Sequence, residues 1–268
     1  MIADYAWCRA TIDAKIRAGD THAPDIPIHN RIRADERLQM SVMRHPDMRV
    51  QQLRIGRESL PLLLIDNLVA NPDELVELAA SKIFSDAPTY YPGRRAKAPL
   101  TYQQFILEQM RPVIDETFGL RGRSLRFTDC TFSLVMTPGD RLAYLQRIPH
   151  IDSTSNDEFA MVHYLFRAAH GGTAFYRHRS TGYEFVDHAR QAAYFKEVEA
   201  ESKGPLAATS GYIVGDTPLY EQTASQDGVF NRLVMYRRTT LHSGSIGRDF
   251  IPDPNPRTGR LSLNGFLA

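Results

Sequence analysis

The sequence changes character at about residue 125, where short runs rich in β-branched and aromatic residues begin. Runs of this length and composition, separated by Gly, Pro and Asp, predict strands. A helix-like stretch interrupts them at about residues 187–200. Many short strands after a more helical first half predict an α+β fold: a β-sandwich or open barrel with helices on one side. The predicted strands cover residues 131–136, 161–166, 173–179, 211–216, 232–238 and 260–267.

The stretch before residue 125 predicts one strand and two helices. Residues 60–69 (LPLLLIDNLV) form a short apolar run bounded by turn residues, which indicates a buried strand. Asn71 and Pro72 then suit the N-cap and the first position of a helix. A second helix is predicted over residues 102–119, perturbed by Pro112 and ended by Gly119.

Residues 1–56 have weak periodicity and many arginines. We interpret them as a partly helical N-terminal arm that packs on the main body or on a partner, which allows a homodimer. Residues 57–268 are interpreted as a single domain, because no linker divides them.

The composition excludes several classes of protein. The 268 residues carry a net charge of +1, so nothing in them calls for nucleic acid or an anionic membrane as partner. The cysteines Cys8 and Cys130 form no CxxC pair, which favours a reducing, cytoplasmic setting. No apolar run approaches the roughly 20 residues of a membrane-spanning helix. The first residues also lack the pattern of a signal peptide.

The segment RIPHID, residues 147–152, places His150 and Asp152 two positions apart. Side chains at that spacing point the same way on a strand, so both can reach one ion. His242 follows a strand-like run in the same half of the chain and offers a third ligand. Two histidines and a carboxylate form a facial triad that leaves coordination positions open, as non-haem Fe(II) requires for O2 and a co-substrate.

A co-substrate with a free carboxylate needs an anchor, and the planar fork of arginine matches a carboxylate. Arg260 and Ser262 occupy one face of a predicted strand and can hold the same group. Between His242 and Arg260 lies a loop-like segment, GRDFIPDPNPRTG, which leaves Arg248 and Arg257 as rival anchors.

These motifs in this order resemble the iron(II)/2-oxoglutarate-dependent oxygenase superfamily. The resemblance covers roughly residues 60–268. HGGTAFYRH (170–178) is similar to a strand of its prolyl-hydroxylase-like members, and LLLIDNLVANPDELVELA (62–79) is similar to the opening strand and helix of many members. YYPGRRA (90–96) is similar to a segment of an uncharacterised bacterial group.

The resemblance implies a double-stranded β-helix, or jelly roll, with the metal at its open end. His150, Asp152 and His242 would be the Fe(II) ligands, and Arg260 with Ser262 would hold the far carboxylate of 2-oxoglutarate. Tyr144 would donate its hydroxyl to the same co-substrate. The implied reaction hydroxylates a C–H bond while 2-oxoglutarate is converted to succinate. Related halogenases lack the carboxylate ligand, so Asp152 argues against halogenation.

Two other functions remain open at this stage. The chain would be a non-catalytic, cupin-like metal-binding module for binding or assembly if it held metal without consuming 2-oxoglutarate. A cupin-like metalloenzyme with another reaction would show converging histidines without an arginine-anchored pocket.

The substrate cannot be read from the sequence: an amino acid, a peptide or protein side chain, or a small metabolite all fit. The loops expected to shape the pocket cover roughly residues 86–100, 153–160 and 217–230. The remaining histidines of the strand-rich half are expected to be packed or exposed rather than ligands: His163, His170, His178 and His188.

Overall fold

A computed structural model describes residues 41–87, 91–208 and 210–268. Within these ranges the chain forms two antiparallel sheets and four α-helices. The helices are α1 (Pro72–Ala80), α2 (Leu100–Gln109), α3 (Arg111–Phe118) and α4 (Gln191–Ser202). The strands are β1 (Arg49–Ile55), β2 (Leu60–Asp66), β3 (Ser85–Asp86), β4 (Gly93–Lys97), β5 (Phe127–Val135), β6 (Phe159–Tyr164), β7 (Gly172–His178), β8 (Tyr220–Gln226), β9 (Leu233–Arg237), β10 (His242–Ser245) and β11 (Leu261–Leu267).

The larger sheet has eight strands in the order β1-β2-β9-β6-β11-β5-β4-β3, and the smaller one has the order β10-β7-β8. Strands far apart in the chain are neighbours in both sheets. The strand β11, for example, pairs with β5 on one side and with β6 on the other. The candidate site residues on these strands therefore take their positions from sheet pairing rather than from nearness in sequence.

The two sheets share a hydrophobic core. Phe175 of the small sheet packs edge-on against Tyr236 of the large sheet, with ring centroids 5.1 Å apart. The hydroxyls of Tyr164 and Thr173 form a hydrogen bond of 2.6 Å between the sheets. Burying an aromatic side chain of this size stabilises a fold by roughly 2–3 kcal/mol. These contacts hold one face of the large sheet against the small sheet.

On its other face β6 contributes His163, which the structure buries completely. Asn231 accepts the Val69 amide proton at its Oδ1 (3.1 Å) and donates from Nδ2 to the Val69 carbonyl (2.9 Å). The same Oδ1 lies 3.1 Å from His163 Nε2, so this nitrogen donates. His163 Nδ1 then accepts the hydroxyl proton of Tyr102 in α2 at 3.1 Å. His163 is thus a packed, fully hydrogen-bonded residue of the core.

Most of the predicted elements have a counterpart, with shifted ends. Residue 71 is the N-cap of α1 and Pro72 is its first residue, although the Asn71 side chain makes no capping hydrogen bond. The single helix predicted over residues 102–119 was wrong. The structure has two, α2 and α3, separated at Met110, because Pro112 lacks the amide proton that a continuous helix would need. Gly119 ends α3 with φ +73°, as predicted.

The strand predicted over residues 211–216 was also wrong. Gly211 and Gly215 have φ values of +78° and +69°, which a strand does not accommodate, and the segment is irregular. The strand lies further on, as β8, within the range expected to be a loop (217–230). β4 likewise lies within the predicted loop 86–100.

Residues 1–40 of the predicted N-terminal arm lie outside the described residues. Its residues 49–55 form β1, which pairs along its whole length with β2. The large sheet therefore begins ahead of the predicted boundary at residue 57. None of the helices in the described ranges has the length and apolar character needed to cross a membrane.

Candidate metal centre

The backbones of His150 and His242 pair directly. The His150 amide donates to the His242 carbonyl at 2.9 Å, and the His242 amide donates to the His150 carbonyl at 3.0 Å. Directly paired residues project their side chains to the same side. The two imidazole rings accordingly lie next to each other, with centroids 4.4 Å apart. His242 is the first residue of β10, and His150 lies in an irregular segment beside it.

Asp152 completes the cluster. Its amide donates to the carbonyl of Arg238 at 2.9 Å. Its Oδ2 lies 3.5 Å from His242 Nε2, and its Oδ1 lies 4.0 Å from His150 Nε2. One ligand atom from each of the three residues lies within 4.8 Å of the other two. The structure therefore brings together the three side chains that the sequence predicted as a triad.

The orientation and tautomer of His242 are set by the backbone just before β10. Its Nδ1 lies 2.9 Å from the carbonyl of Thr240, which can only accept, so Nδ1 carries the proton. Nε2 is then the nitrogen that a metal can bind, on the side that faces Asp152. A histidine held in one tautomer by a carbonyl at its far nitrogen is the usual arrangement around protein-bound metals.

The charges of the cluster also suit a metal site. Burial of the imidazole and the neighbouring His242 lower the pKa of His150 to about 4, although Asp152 acts in the opposite direction. The His150 side chain is nevertheless 49% exposed. Burial raises the pKa of Asp152, but His242, His150, Arg238 and Arg95 outweigh that effect and leave it lowered. At neutral pH the cluster offers a neutral His150 imidazole and a carboxylate, the forms that bind metals.

Arg238 supports the cluster, although the sequence did not single it out. Its Nη2 donates to the Asp152 carbonyl at 2.9 Å, and its Nη1 pairs with Glu158 at 2.5 Å. The guanidinium also lies over the ring of Phe266, 4.3 Å from its centroid. Arg238 therefore fixes the backbone at Asp152 and adds positive charge beside the carboxylate.

Arg260 is buried, with only 6% of its surface exposed. Its Nε donates to the carbonyl of His170 and its Nη2 to that of Gly172, both at 2.9 Å. Its guanidinium lies 5.3 Å from the ring centroid of Phe166. Among the described residues no carboxylate lies within 4.0 Å of it. Arg260 is thus a buried positive charge held by backbone carbonyls, with no anion beside it.

The rival anchors lie elsewhere. Arg257 forms an exposed ion pair with Glu77, through Nε at 2.8 Å and Nη2 at 2.5 Å. Arg248 is exposed as well. Residues 246–260 form an irregular loop, as predicted, and this loop returns the chain to the sheet at Arg260.

Four side chains form a row on the face of the large sheet that meets the small sheet. Arg95 of β4 lies opposite Ser133 of β5, Ser133 lies opposite Ser262 of β11, and Ser262 lies opposite Tyr164 of β6. Directly opposite residues share a face. Ser133 and Ser262 are buried at 0% and 1% exposure, so this row is a polar strip inside the protein.

Tyr91 connects this strip to Arg260. Burial raises the pKa of the Tyr91 hydroxyl, against the effects of Arg260, of Arg95 and of hydrogen bonds to Ser133 and Ser262. Ser262 was predicted from the sequence, whereas Ser133 and Arg95 were not. These two residues are identified by the register of the sheet, which is known only from the pairing of β4, β5 and β11.

Tyr144 lies in a 3-10 turn, Tyr144–Gln146. Burial and the negative charge of Glu201 raise the pKa of its hydroxyl. Glu201 in turn pairs with the buried His178, at 2.8 Å from Nε2. Tyr144 is thus near the Glu201–His178 pair, and its contact with a co-substrate stays a prediction.

The Gly171–Gly172 pair lies where the small sheet meets the segment that binds Arg260. Gly171 has φ +73°, and a Cβ on it would lie 1.8 Å from the backbone oxygen of Ser245, in β10. A Cβ on Gly172 would lie 1.8 Å from the oxygen of Gln226, in β8. Only glycine permits this close approach of three chain segments.

A family model described as a family of unknown function (DUF6445) matches residues 46–267, and this range contains the triad, Arg260 and the polar strip. The chain belongs to DUF6445. None of the curated proteins matches the sequence of this DUF6445 chain.

Solved structures that match the DUF6445 chain do so at low identity. SnoN, a non-heme alpha-ketoglutarate-dependent epimerase from nogalamycin biosynthesis, is 11% identical with a TM-score of 0.47; the match covers 80% of this chain and 78% of SnoN. HygX from Streptomyces hygroscopicus, with nickel and 2-oxoglutarate bound, is 12% identical with a TM-score of 0.42, covering 79% and 84%. An N-substituted L-amino acid dioxygenase from Burkholderia ambifaria is 11% identical with a TM-score of 0.37, covering 84% and 95%.

Proposed function

We propose that this protein is an Fe(II)/2-oxoglutarate-dependent oxygenase that hydroxylates a C–H bond of a small molecule or of a peptide or protein side chain. The observation that carries the proposal is a pair of sites connected by the smaller sheet, since His242 begins β10 and Arg260 binds the Gly172 carbonyl of β7. The cluster of His150, Asp152 and His242 can bind a metal, and the buried Arg260 lacks an anion. The two sheets then correspond to a jelly roll with the metal between them.

The cluster fits iron by its chemistry. Two imidazole nitrogens and one carboxylate oxygen are the donor set of non-haem Fe(II) enzymes, which keep further coordination positions for O2 and a co-substrate. The ligand atoms already lie within 4.8 Å of one another, so a metal can be bound without rearrangement of the backbone. The tautomer of His242 is fixed in the form that a metal requires.

The surroundings of Arg260 fit the far carboxylate of 2-oxoglutarate. A guanidinium has five N–H donors, and two of those of Arg260 bind carbonyls, which leaves others for a carboxylate. Ser262 and Tyr91 add hydroxyl groups next to it. A buried guanidinium is costly without an anion, so binding of a carboxylate here stabilises the arrangement.

When bound, Fe(II) and 2-oxoglutarate would supply O2 activation, with conversion of the co-substrate to succinate and CO2 and hydroxylation of the substrate. His150, Asp152 and His242 would hold the metal. Arg238 would keep Asp152 in place, and Arg260 would orient the co-substrate. The aromatic rings of Phe175 and Tyr236 exclude water from the core beside His242, since Tyr236 lies 4.6 Å from the His242 ring.

The test is anaerobic addition of Fe(II) and then 2-oxoglutarate to purified protein. We expect the weak visible charge-transfer band of the chelate, and succinate after O2 is admitted. Asp152→Ala should lose both, whereas the exposed His188→Ala should keep both. A protein that retains metal but gives neither band nor succinate would be a binding module, and the proposed function would be wrong.

A further inference from the structure

Arg95 is a second arginine without an adequate anion. Its side chain is only 18% exposed, and its buried Nε has no hydrogen-bond partner among the described residues. The nearest carboxylate is that of Asp129, 3.8 Å from Nη1 and itself 44% exposed. An ion pair at that separation and exposure contributes little to stability. It also leaves the guanidinium without the two parallel hydrogen bonds that a carboxylate can accept.

The position of Arg95 directs it to the candidate site. It shares the polar strip with Ser133 and Ser262, on the face that meets the small sheet. The guanidinium lies 4.6 Å from the ring centroid of Tyr91, whose hydroxyl is near Arg260. Its charge is also among those that lower the pKa of Asp152. Arg95 is therefore close to the triad and to the anchor, on the edge side of the large sheet.

The neighbouring residue shows that this orientation is specific. Arg94 follows Gly93 on the same strand and points to the opposite face, as successive residues of a strand do. It pairs there with Asp86 at 3.0 Å, and its side chain is 49% exposed. Arg94 is thus an ordinary surface arginine, while Arg95 is the one turned inward.

The charges argue for an anion in addition to 2-oxoglutarate. A divalent metal, the Asp152 carboxylate, the two carboxylates of 2-oxoglutarate and Arg260 together sum to zero. Arg238 has its own partner in Glu158. Arg95 adds a positive charge to this interior that only the distant Asp129 offsets. A poorly hydrated cation of this kind is stabilised by a second carboxylate.

We propose that Arg95 binds a carboxylate of the primary substrate, which makes the substrate a small acidic molecule such as an amino acid or a peptide with a free C-terminus. This inference rests on the proposed function, in which Arg260 takes the co-substrate. Arg95 of the polar strip and Arg260 beside it then bind two different anions, with Ser133, Ser262 and the Tyr91 hydroxyl between them.

The test uses nitrogen-15 NMR of arginine Nε–H groups in the full chain, loaded with Zn(II) and 2-oxoglutarate. Acetate is the probe and acetamide its neutral control. The Arg95 resonance is identified by its loss in Arg95→Lys. We expect acetate to shift it saturably, and acetamide to leave it unchanged. Arg94→Gln should preserve this response, and acetate should raise the unfolding temperature in Arg94→Gln but not in Arg95→Gln.

The inference is overturned if acetate produces no saturable shift. It is also overturned if 2-oxoglutarate shifts the Arg95 resonance saturably in the Zn(II)-loaded Arg260→Lys protein, since Arg95 would then bind the co-substrate without Arg260. The Arg260 resonance, identified by its loss in Arg260→Lys, tests the proposed function separately. A shift of this resonance with 2-oxoglutarate supports that function, whatever happens at Arg95. If 2-oxoglutarate does not shift the Arg260 resonance but acetate shifts the Arg95 resonance saturably, the proposed function is wrong. Arg95 would then be an anion-binding site in a protein that is not a 2-oxoglutarate-dependent oxygenase.

Discussion

His150 and His242 hold each other through two backbone hydrogen bonds, of 2.9 and 3.0 Å, so their side chains are neighbours whether or not a metal is present. The relative position of the two candidate ligands is therefore set by the main chain. Removing either imidazole should leave the pairing intact and change chiefly the capacity to bind a metal.

His242→Ala should weaken Fe(II) binding by more than about 100-fold. Loss of a residue that only hydrogen-bonds to a metal ligand already lowers metal affinity by roughly 10- to 100-fold, and His242 would be a ligand itself. The measurement is metal content after anaerobic loading and desalting. His188→Ala is the matched control, since His188 is exposed and hydrogen-bonds only with Thr154 and Gln191 in the described structure. Equal iron in the His242 variant and the control would rule out His242 as a ligand.

Arg260→Lys should raise the 2-oxoglutarate concentration needed for half-saturation by about tenfold or more while iron binding persists, because an ammonium cannot reproduce a bidentate fork. Titration of the visible band measures this directly. Arg257→Lys should change nothing, since Arg257 pairs with Glu77 at the surface. An unchanged requirement in the Arg260 variant would mean that another group holds the carboxylate.

Arg238→Gln should reduce Fe(II) affinity by roughly 10- to 100-fold, the usual effect of losing an outer partner of a metal ligand. The substitution removes the donor to the Asp152 carbonyl and the charge beside the carboxylate. Competition with a coloured chelator would quantify the loss. An affinity equal to that of the unmodified protein would show that Asp152 is positioned without Arg238.

Gly171→Ala should cost distinctly more stability than Gly119→Ala, although both glycines have φ +73°. An added Cβ at Gly119 meets nothing within 4 Å, so only the left-handed conformation costs free energy, about 1 kcal/mol. At Gly171 the Cβ would overlap the Ser245 oxygen and displace β10. Urea unfolding of the two variants compares these costs, and equal values would refute the close-packing argument.

The stability of the protein should depend on pH through His163. Burial lowers its pKa from 6.5 to about 4, while the hydrogen bond to Asn231 opposes the shift. Between these two values the unfolded chain binds a proton on this imidazole and the folded chain does not. The free energy of unfolding should therefore fall as the pH falls through that window, by on the order of 3 kcal/mol.

His163→Gln provides the control for this effect. It keeps a neutral side chain with a donor and an acceptor, and it removes the titration. Its free energy of unfolding, measured in urea at a series of pH values, should vary less across the window than that of the unmodified protein. Identical profiles would assign the pH dependence to other groups.

The elements that could be predicted are those whose pattern is local. Pro72 marks the start of α1, and the short apolar run of β2, bounded by turn residues, indicates a buried strand. β1 and β4 were missed because their sequences, RVQQLRI and GRRAK, are largely polar. Such strands gain their stability from pairing with β2 and β5, which no local window reveals.

The candidate site likewise contains residues that the sequence predicts and a residue that it does not. His150, Asp152 and His242 could be found because they occur in one order with Arg260 and Ser262, a combination that is more specific than the His150–Asp152 spacing alone. Arg95 could not, since arginine in a polar stretch usually indicates a solvated surface. Its inward orientation follows from the register of β4 on β5, in which Arg95 lies opposite Ser133, a residue that no local window around Arg95 includes.

The central place of β11 has a consequence for how the chain acquires its structure. It comes last among the described strands, yet it separates β1-β2-β9-β6 from β5-β4-β3 in the large sheet. These two groups have no strand-to-strand hydrogen bonds until β11 inserts between them. Long-range pairing of this kind slows folding, since chain entropy must be lost before the contacts form. The insertion step also brings in Arg260 and Ser262, so we expect a refolding chain to gain its carboxylate site in the same kinetic phase that joins the two halves of the sheet.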